Sequence, residues 1–179
     1  MPSSLGSRLL VSAEVARGRK EIALVEADGL GLSFVTRNGS INLAPAWGPE
    51  GAVGYMSYLR GNPDWVVNGL PFSTRSGLNA AGAWSPDGTL LALSVAESAN
   101  SDLVLLDAKS GVERRRLTHH SGVDTSPSWS PDGKSLAFVS DRSGSPQVWI
   151  LELESGALRA LSQGGYAAAP VWSPLGESI

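Results

Sequence analysis

Short apolar runs separated by glycine, proline and polar residues recur along the chain. The clearest are Ser-Leu-Ala-Phe-Val-Ser at 135–140 and Gln-Val-Trp-Ile-Leu-Glu-Leu at 147–153. Runs of this length that are apolar on both faces are typical of strands in a sheet that packs between two other sheets. Weaker runs at 126–130 and 157–162 flank them, so this stretch predicts four consecutive antiparallel strands.

A tryptophan motif recurs at the start of each such group. Trp84 and Trp129 each begin Trp-Ser-Pro-Asp-Gly, Trp47 begins Trp-Gly-Pro-Glu-Gly, and Trp172 begins Trp-Ser-Pro-Leu-Gly, at intervals of 37, 45 and 43 residues. A four-stranded repeat of about 40 to 45 residues is typical of a β-propeller blade. Proline and aspartate suit the centre of a type I turn, and glycine suits the left-handed position after it. We expect the tryptophans to pack between neighbouring blades.

The repeats predict an all-β chain that forms a single β-propeller domain over residues 1–179, with four four-stranded blades. One blade is split between the termini, because strands at 8–14, 21–27 and 31–37 lack a first strand and residues 168–173 form a first strand alone. Docking of the C-terminal strand beside the N-terminal one would close the ring and remove its open edges. The alternatives are a larger ring completed by further sequence or by a second copy. The predicted blades are approximately 8–40 with 168–173, 44–78, 81–120 and 125–164.

Composition narrows the function classes. The chain has no cysteine, which excludes disulfides, thiolate zinc sites and a cysteine nucleophile. Fourteen basic residues face seventeen acidic ones, and no basic run exceeds Arg114–Arg116, so neither nucleic acid nor membrane insertion is predicted. Residues 1–19 lack the apolar core of a secretory signal peptide, so we expect no export signal within this chain.

Recognised catalytic arrangements are not predicted either. His119 and His120 are adjacent, so on a strand they would face opposite ways and would not share a metal ion. The chain has no Gly-x-Ser-x-Gly elbow and no glycine-rich phosphate loop. Asp124 has two candidate roles. It could be a cation ligand at the rim of the propeller's central channel, but the preferred role is that of a side chain that holds its own loop. We therefore predict a protein that is not an enzyme and that has no cofactor and no metal site.

The most specific stretch of sequence resembles a repeat of the TolB propeller family. It runs from Val123 to Phe138 as Val-Asp-Thr-Ser-Pro-Ser-Trp-Ser-Pro-Asp-Gly-Lys-Ser-Leu-Ala-Phe, followed at 140–149 by Ser-Asp-Arg-Ser-Gly-Ser-Pro-Gln-Val-Trp. The resemblance covers roughly 8–176 and is looser where Glu50 and Leu175 replace the turn aspartate. It implies a propeller that is truncated or reduced from the family's six blades, and a periplasmic location. It also implies the peptidoglycan-associated lipoprotein (Pal), or another Tol component, as partner in the Tol-Pal system of the cell envelope.

The loops expected on one face of the blades are the predicted binding surface for a protein partner. Arginine and tyrosine on rigidly held loops are residue types that anchor protein interfaces. A second interpretation is the propeller portion of a prolyl-oligopeptidase-type serine peptidase, which uses similar Trp-Ser-Pro-Asp-Gly repeats and would lack its hydrolase domain here. The chain is expected to be a monomer or a homodimer that completes the ring. The candidate partner-binding residues are Arg60, Arg75, His119, His120, Asp124, Arg142 and Tyr166.

Overall fold

A computed structural model describes residues 8–96 and 100–179 of the chain. These described residues divide into two compact units, unit 1 up to Ala80 and unit 2 from Ala81, and the boundary falls within the strand Leu78–Trp84. Antiparallel sheets account for nearly all the regular structure in the described residues, so the predicted all-β architecture is confirmed. No helix in this described part has the length and apolar character needed to cross a membrane.

Unit 1 contains two sheets whose strands follow one another in chain order. Apolar side chains of the two sheets meet in a small core of Ile22, Val53, Tyr55 and Val66. Burial of such side chains stabilises the sheets by roughly 1.5 to 3 kcal/mol each. The strands are β1 (Arg8–Ala16), β2 (Arg19–Glu26) and β3 (Ser33–Phe34) in one sheet, and β4 (Asn42–Trp47), β5 (Val53–Ser57), β6 (Asp64–Val67) and β7 (Leu70–Ser73) in the other. A turn of 3-10 helix at Pro49–Gly51 joins β4 to β5.

Unit 2 contains two four-stranded sheets that pack against each other. Leu103, Phe138 and Leu151 form one core cluster, in line with the apolar runs in the sequence. Trp129 lies in a second cluster, and its indole Nε1 donates a hydrogen bond to Ala83 O at 2.9 Å, as expected for a residue that packs between blades. The strands are β8 (Leu78–Trp84), β9 (Leu90–Ala96), β10 (Asp102–Asp107), β11 (Glu113–Arg116), β12 (Asp124–Trp129), β13 (Ser135–Ser140), β14 (Gln147–Glu152) and β15 (Leu158–Ala160).

Each tryptophan motif is preceded by a backbone irregularity that the sequence pattern does not reveal. The residue three positions before the tryptophan has a positive φ in all four repeats, between 48° and 55°. Such angles are uncommon for residues other than glycine and are typical of a bulge that bends a strand. Ladder register shifts there, between Leu43 and Ala46 in β4 and between Thr125 and Ser128 in β12. The four positive-φ residues are Ala44, Ala81, Ser126 and Ala169.

The strand predicted at 168–173 is not formed, which corrects the sequence analysis. Ala169 nevertheless has the bulge conformation, and the turn after Trp172 has the repeat's hydrogen bonds, from Gly176 N to Ser173 O at 2.9 Å and from Ser173 N to Ser178 O at 2.8 Å. In the described residues the sheet of β1 has three strands. The segment therefore has the local geometry of a first strand but lacks the ladder that defines one, and ring closure stays a prediction.

The aspartate of the repeated turn is held by the serine that precedes the proline. Ser130 Oγ donates to Asp132 Oδ1 at 2.6 Å, and Lys134 N donates to the same oxygen at 3.0 Å. These hydrogen bonds stabilise the ionised carboxylate, the serine bond most, so they lower the pKa of Asp132.

We expect Ser130→Ala to raise the pKa of Asp132 toward its ordinary value, and to leave that of Asp87, in the preceding repeat, unchanged. Because the pKa of Asp132 is lower in the folded state than in the unfolded state, its ionised carboxylate stabilises the fold at pH values above the unfolded-state pKa. This stabilisation is lost as the pH falls through the folded-state pKa. The substitution should weaken that acid dependence. Carboxyl carbon NMR titration of both aspartates measures the effect, and equal shifts at the two sites would contradict the assignment.

Candidate functional site

The candidate residues lie on connections at one end of the strands within each unit. In consecutive antiparallel strands, alternate connections emerge at the same end of the sheet. In unit 2, loops 117–123, 141–146 and 161–167 therefore share an end, opposite the repeated turn at 130–133. In unit 1, loops 35–41, 58–63 and 74–77 share the corresponding end. We call these connections the loop face of each unit.

A buried ion pair holds two loops of unit 2. Arg142 Nη2 donates to both carboxylate oxygens of Asp124, at 3.0 and 2.8 Å, and its Nε donates to Ser140 Oγ at 2.9 Å. The Asp124 side chain is 0% exposed and that of Arg142 is 12% exposed. The guanidinium also lies 5.5 Å from the ring centre of Phe138 and 5.3 Å from that of Trp149, within the range of a cation–π interaction. The geometry thus corresponds to the loop-holding role expected of Asp124.

The adjoining loop is joined to the same strand end by backbone contacts. Val123 N donates to Asp141 Oδ1 at 2.8 Å. A side chain at Gly122 would displace that carboxylate from its hydrogen bond and crowd His120 Nδ1, so the close approach favours glycine. Loops 117–123 and 141–146 are therefore held in place by contacts within the chain, which lowers the entropic cost of binding through them.

The two histidines behave as separate loop residues. His119 is exposed, whereas His120 is half-buried, with Nδ1 accepting a hydrogen bond from Gly122 N at 2.9 Å and O accepting one from Asn100 Nδ2 at 2.9 Å. With Arg142, both line a shallow cavity of about 240 Å³. In the part of the chain that the structure describes, no three His, Cys, Asp or Glu residues are arranged to hold a metal ion.

The remaining candidates differ in exposure. Tyr166 is 78% exposed on the last loop of unit 2. In unit 1 the Arg60 side chain is 59% exposed and lies 3.8 Å from Asp64, measured from Nε to Oδ2. Arg75 is half-buried, and its carbonyl oxygen accepts a hydrogen bond from Asn79 Nδ2 at 2.8 Å. Tyr166, His119 and Arg60 are thus the candidates best placed to touch another molecule.

Sequence reasoning identified Asp124 but missed that it belongs to a set of buried polar residues that fix the loops. A polar residue five positions before the tryptophan is fully buried in three repeats. Each connects neighbouring backbone or loops: Asn42 Nδ2 donates to Lys20 O at 3.0 Å, Asn79 bonds to Arg75 O, and Asp124 pairs with Arg142. The spacing is a signal that the sequence contains, and Ala167 replaces the polar residue in the fourth repeat.

Comparisons with known proteins agree with this geometry. The model of the TolB beta-propeller domain family matches residues 8–179. The chain is 42% identical over 108 residues to the Tol-Pal system protein TolB of Desulfosudis oleivorans, covering 56% of this chain and 24% of that protein. The crystal structure of TolB from Acinetobacter baumannii superposes with a TM-score of 0.86 at 27% identity, over 98% of this chain and 47% of that one.

A structure of prolyl endopeptidases is also similar, at a TM-score of 0.61 and 12% identity over 87% of this chain and 24% of that one. At this identity the likeness concerns the fold alone, and it is weaker than the likeness to TolB. The chain spans less than half the length of the TolB proteins named above. With a family model that matches 8–179 and blades built on the tryptophan repeat, the chain belongs to the TolB beta-propeller domain family.

Proposed function

We propose that this chain is a non-enzymatic protein-interaction module of a Tol-Pal system, acting in the periplasm. Its loop faces bind a protein partner, and the partner is Pal or another Tol component. The relative from Desulfosudis oleivorans is named as a protein of the Tol-Pal system. The fold alone supports only a general role in binding, so the assignment to the Tol-Pal system rests on the family relationship.

The Arg142–Asp124 pair is the observation that favours a binding surface on the loop face. It fixes two loops at the end of their strands and leaves His119 exposed beside them, with Tyr166 exposed on the next loop. Exposed tyrosine and arginine side chains on preorganised loops are the usual anchors of protein interfaces. The face is thus suited to recognition of a folded partner without large rearrangement.

A capture experiment from a Gram-negative envelope extract tests the proposal. We expect the immobilised chain to retain Pal, identified by mass spectrometry. Tyr166→Ala and His119→Glu should reduce the recovery, because both side chains are exposed on the loop face of unit 2. The control is Lys109→Glu, which changes an exposed side chain at the opposite end of the strands and should leave the recovery of Pal unchanged. Recovery of no Tol-Pal component by the wild-type chain would count against the proposal.

A further inference from the structure

A nearly buried carboxylate in unit 1 lacks the hydrogen-bond donor found in the other blades. Asp64 is the first residue of β6, and only 7% of its side chain is exposed. Within the described residues its one charged contact is Arg60, whose Nε lies 3.8 Å away, beyond hydrogen-bonding distance. No described residue donates a hydrogen bond to this carboxylate, and part of its side chain remains accessible, so it is able to accept a donor from another molecule.

The other three blades satisfy the corresponding side chain from the fourth strand or the residues just after it. A hydroxyl group there donates to the carboxylate or amide oxygen on the third strand. The pairs are Thr36 with Glu21, Thr118 with Asp102, and Ser162 with Gln147. In the blade of Asp64 the nearby hydroxyl is that of Ser73, and it donates to Asn79 Oδ1 at 2.8 Å instead. The repeat therefore shows which donor Asp64 is missing.

Asp64 lines a small pocket of about 50 Å³ that also reaches Arg60 on the loop face. Tyr55 and Ser57, whose side chains carry hydroxyl groups, also line it, together with the amide residue Asn38 and the apolar residues Leu59, Val66 and Pro71. Burial raises the pKa of Tyr55, and the nearby charge of Glu21 adds to the increase, so the phenol stays neutral at physiological pH. The lining thus includes the carboxylate of Asp64, neutral residues that carry oxygen acceptors, and the guanidinium of Arg60.

This lining fits a primary ammonium group on an aliphatic chain. An ammonium has three donors and no acceptor, which matches a carboxylate flanked by hydroxyl oxygens. Methylene groups pack well against apolar walls while the charged head reaches the polar end. An anion would be repelled by Asp64. A guanidinium is larger and planar, and it suits a site open enough for bidentate contact.

We propose that the pocket of Asp64, Tyr55 and Ser57 receives the ammonium group of a lysine side chain on the partner protein. The inference rests on the proposed function, since it assigns the chemistry that the loop face of unit 1 recognises. Arg60 lies at the rim as a weak competitor: its guanidinium is too far for a hydrogen bond, and the incoming lysine replaces it beside Asp64.

Titration with n-butylammonium chloride tests the pocket without any partner protein. In the ¹⁵N-labelled full chain at constant ionic strength, we expect saturable NMR shifts of the Ser57 and Asp64 amides. Asp64→Asn should weaken binding about tenfold or more, because it removes a charge-assisted hydrogen bond. Glu14→Gln removes an exposed acid of unit 1 as the matched control and should leave the affinity within about twofold.

A second variant keeps the proposal testable if Asp64→Asn does not fold. Arg60→Gln retains Asp64 and removes the competing cation, so it should strengthen n-butylammonium binding. 1-Butanol and tetramethylammonium lack the charge or the N–H donors, and neither should saturate. Equal binding by the wild type and Asp64→Asn, or tighter binding of ethylguanidinium, would overturn the lysine assignment. Since no partner is used, that failure is separate from any failure to bind Pal.

Discussion

Replacing Arg142 with alanine is expected to lower the free energy of unfolding by about 3 to 5 kcal/mol. The change leaves the carboxylate of Asp124 fully buried without its cation, and it removes contacts with the rings of Phe138 and Trp149. An uncompensated buried charge is among the most costly defects that a single substitution makes. Urea denaturation followed by tryptophan fluorescence measures the loss.

Arg114→Ala is the control for this substitution. Arg114 also pairs with an aspartate, Asp107, at 2.7 Å, but its side chain is 60% exposed. Exposed ion pairs contribute about 1 kcal/mol or less, so this variant should unfold nearly as the wild type does. Losses of similar size in the two variants would show that the Asp124–Arg142 pair does not hold the loops as described.

Trp129→Ala is expected to cost about 3 to 5 kcal/mol of unfolding free energy. The indole is buried in the cluster with Ala92, Leu105 and Leu136, and its Nε1 donates to Ala83 O. Removing it creates a cavity between two packed sheets and leaves that carbonyl without its bond. Thermal unfolding followed by circular dichroism checks the effect.

Trp172 occupies the same repeat position in a different setting and serves as the comparison. Its segment forms the repeat's turn but no strand, and the adjacent Val171 is 72% exposed. Trp172→Ala should therefore cost clearly less than Trp129→Ala. If the two substitutions are equally destabilising, the C-terminal segment is as fully packed as a complete blade, contrary to the structure.

The blades were predictable from sequence where a local pattern specifies them. The apolar run 135–140 coincides with β13, and 147–153 differs from β14 by one residue, because both strands are buried on two faces. The predicted strand 31–37 shrinks to Ser33–Phe34, since a fourth strand pairs on one side only and its exposed Leu32 and Val35 gain little from burial. The strand prediction for residues 168–173 was wrong because a strand forms only where it pairs with a neighbouring strand, whatever the intrinsic propensity of its residues.

The candidate site was predictable only in part. The sequence indicated which loops carry Arg142 and Asp124, but these residues lie 18 positions apart and their pairing depends on β12 and β13 lying side by side. Asp64 gave no signal of its own. Its significance appears only when its missing donor is compared with the hydroxyl partners of Glu21 and Asp102, and that comparison requires three-dimensional contacts.

Calorimetric titration of the purified chain with the purified periplasmic domain of Pal tests the central claim most directly. We expect saturable binding that Tyr166→Ala weakens about tenfold or more, as for an exposed aromatic anchor. Lys109→Ala, at the opposite end of the strands, should leave the affinity within about twofold. Absence of binding by the wild-type chain, or equal loss in the two variants, would contradict a binding surface on the loop face.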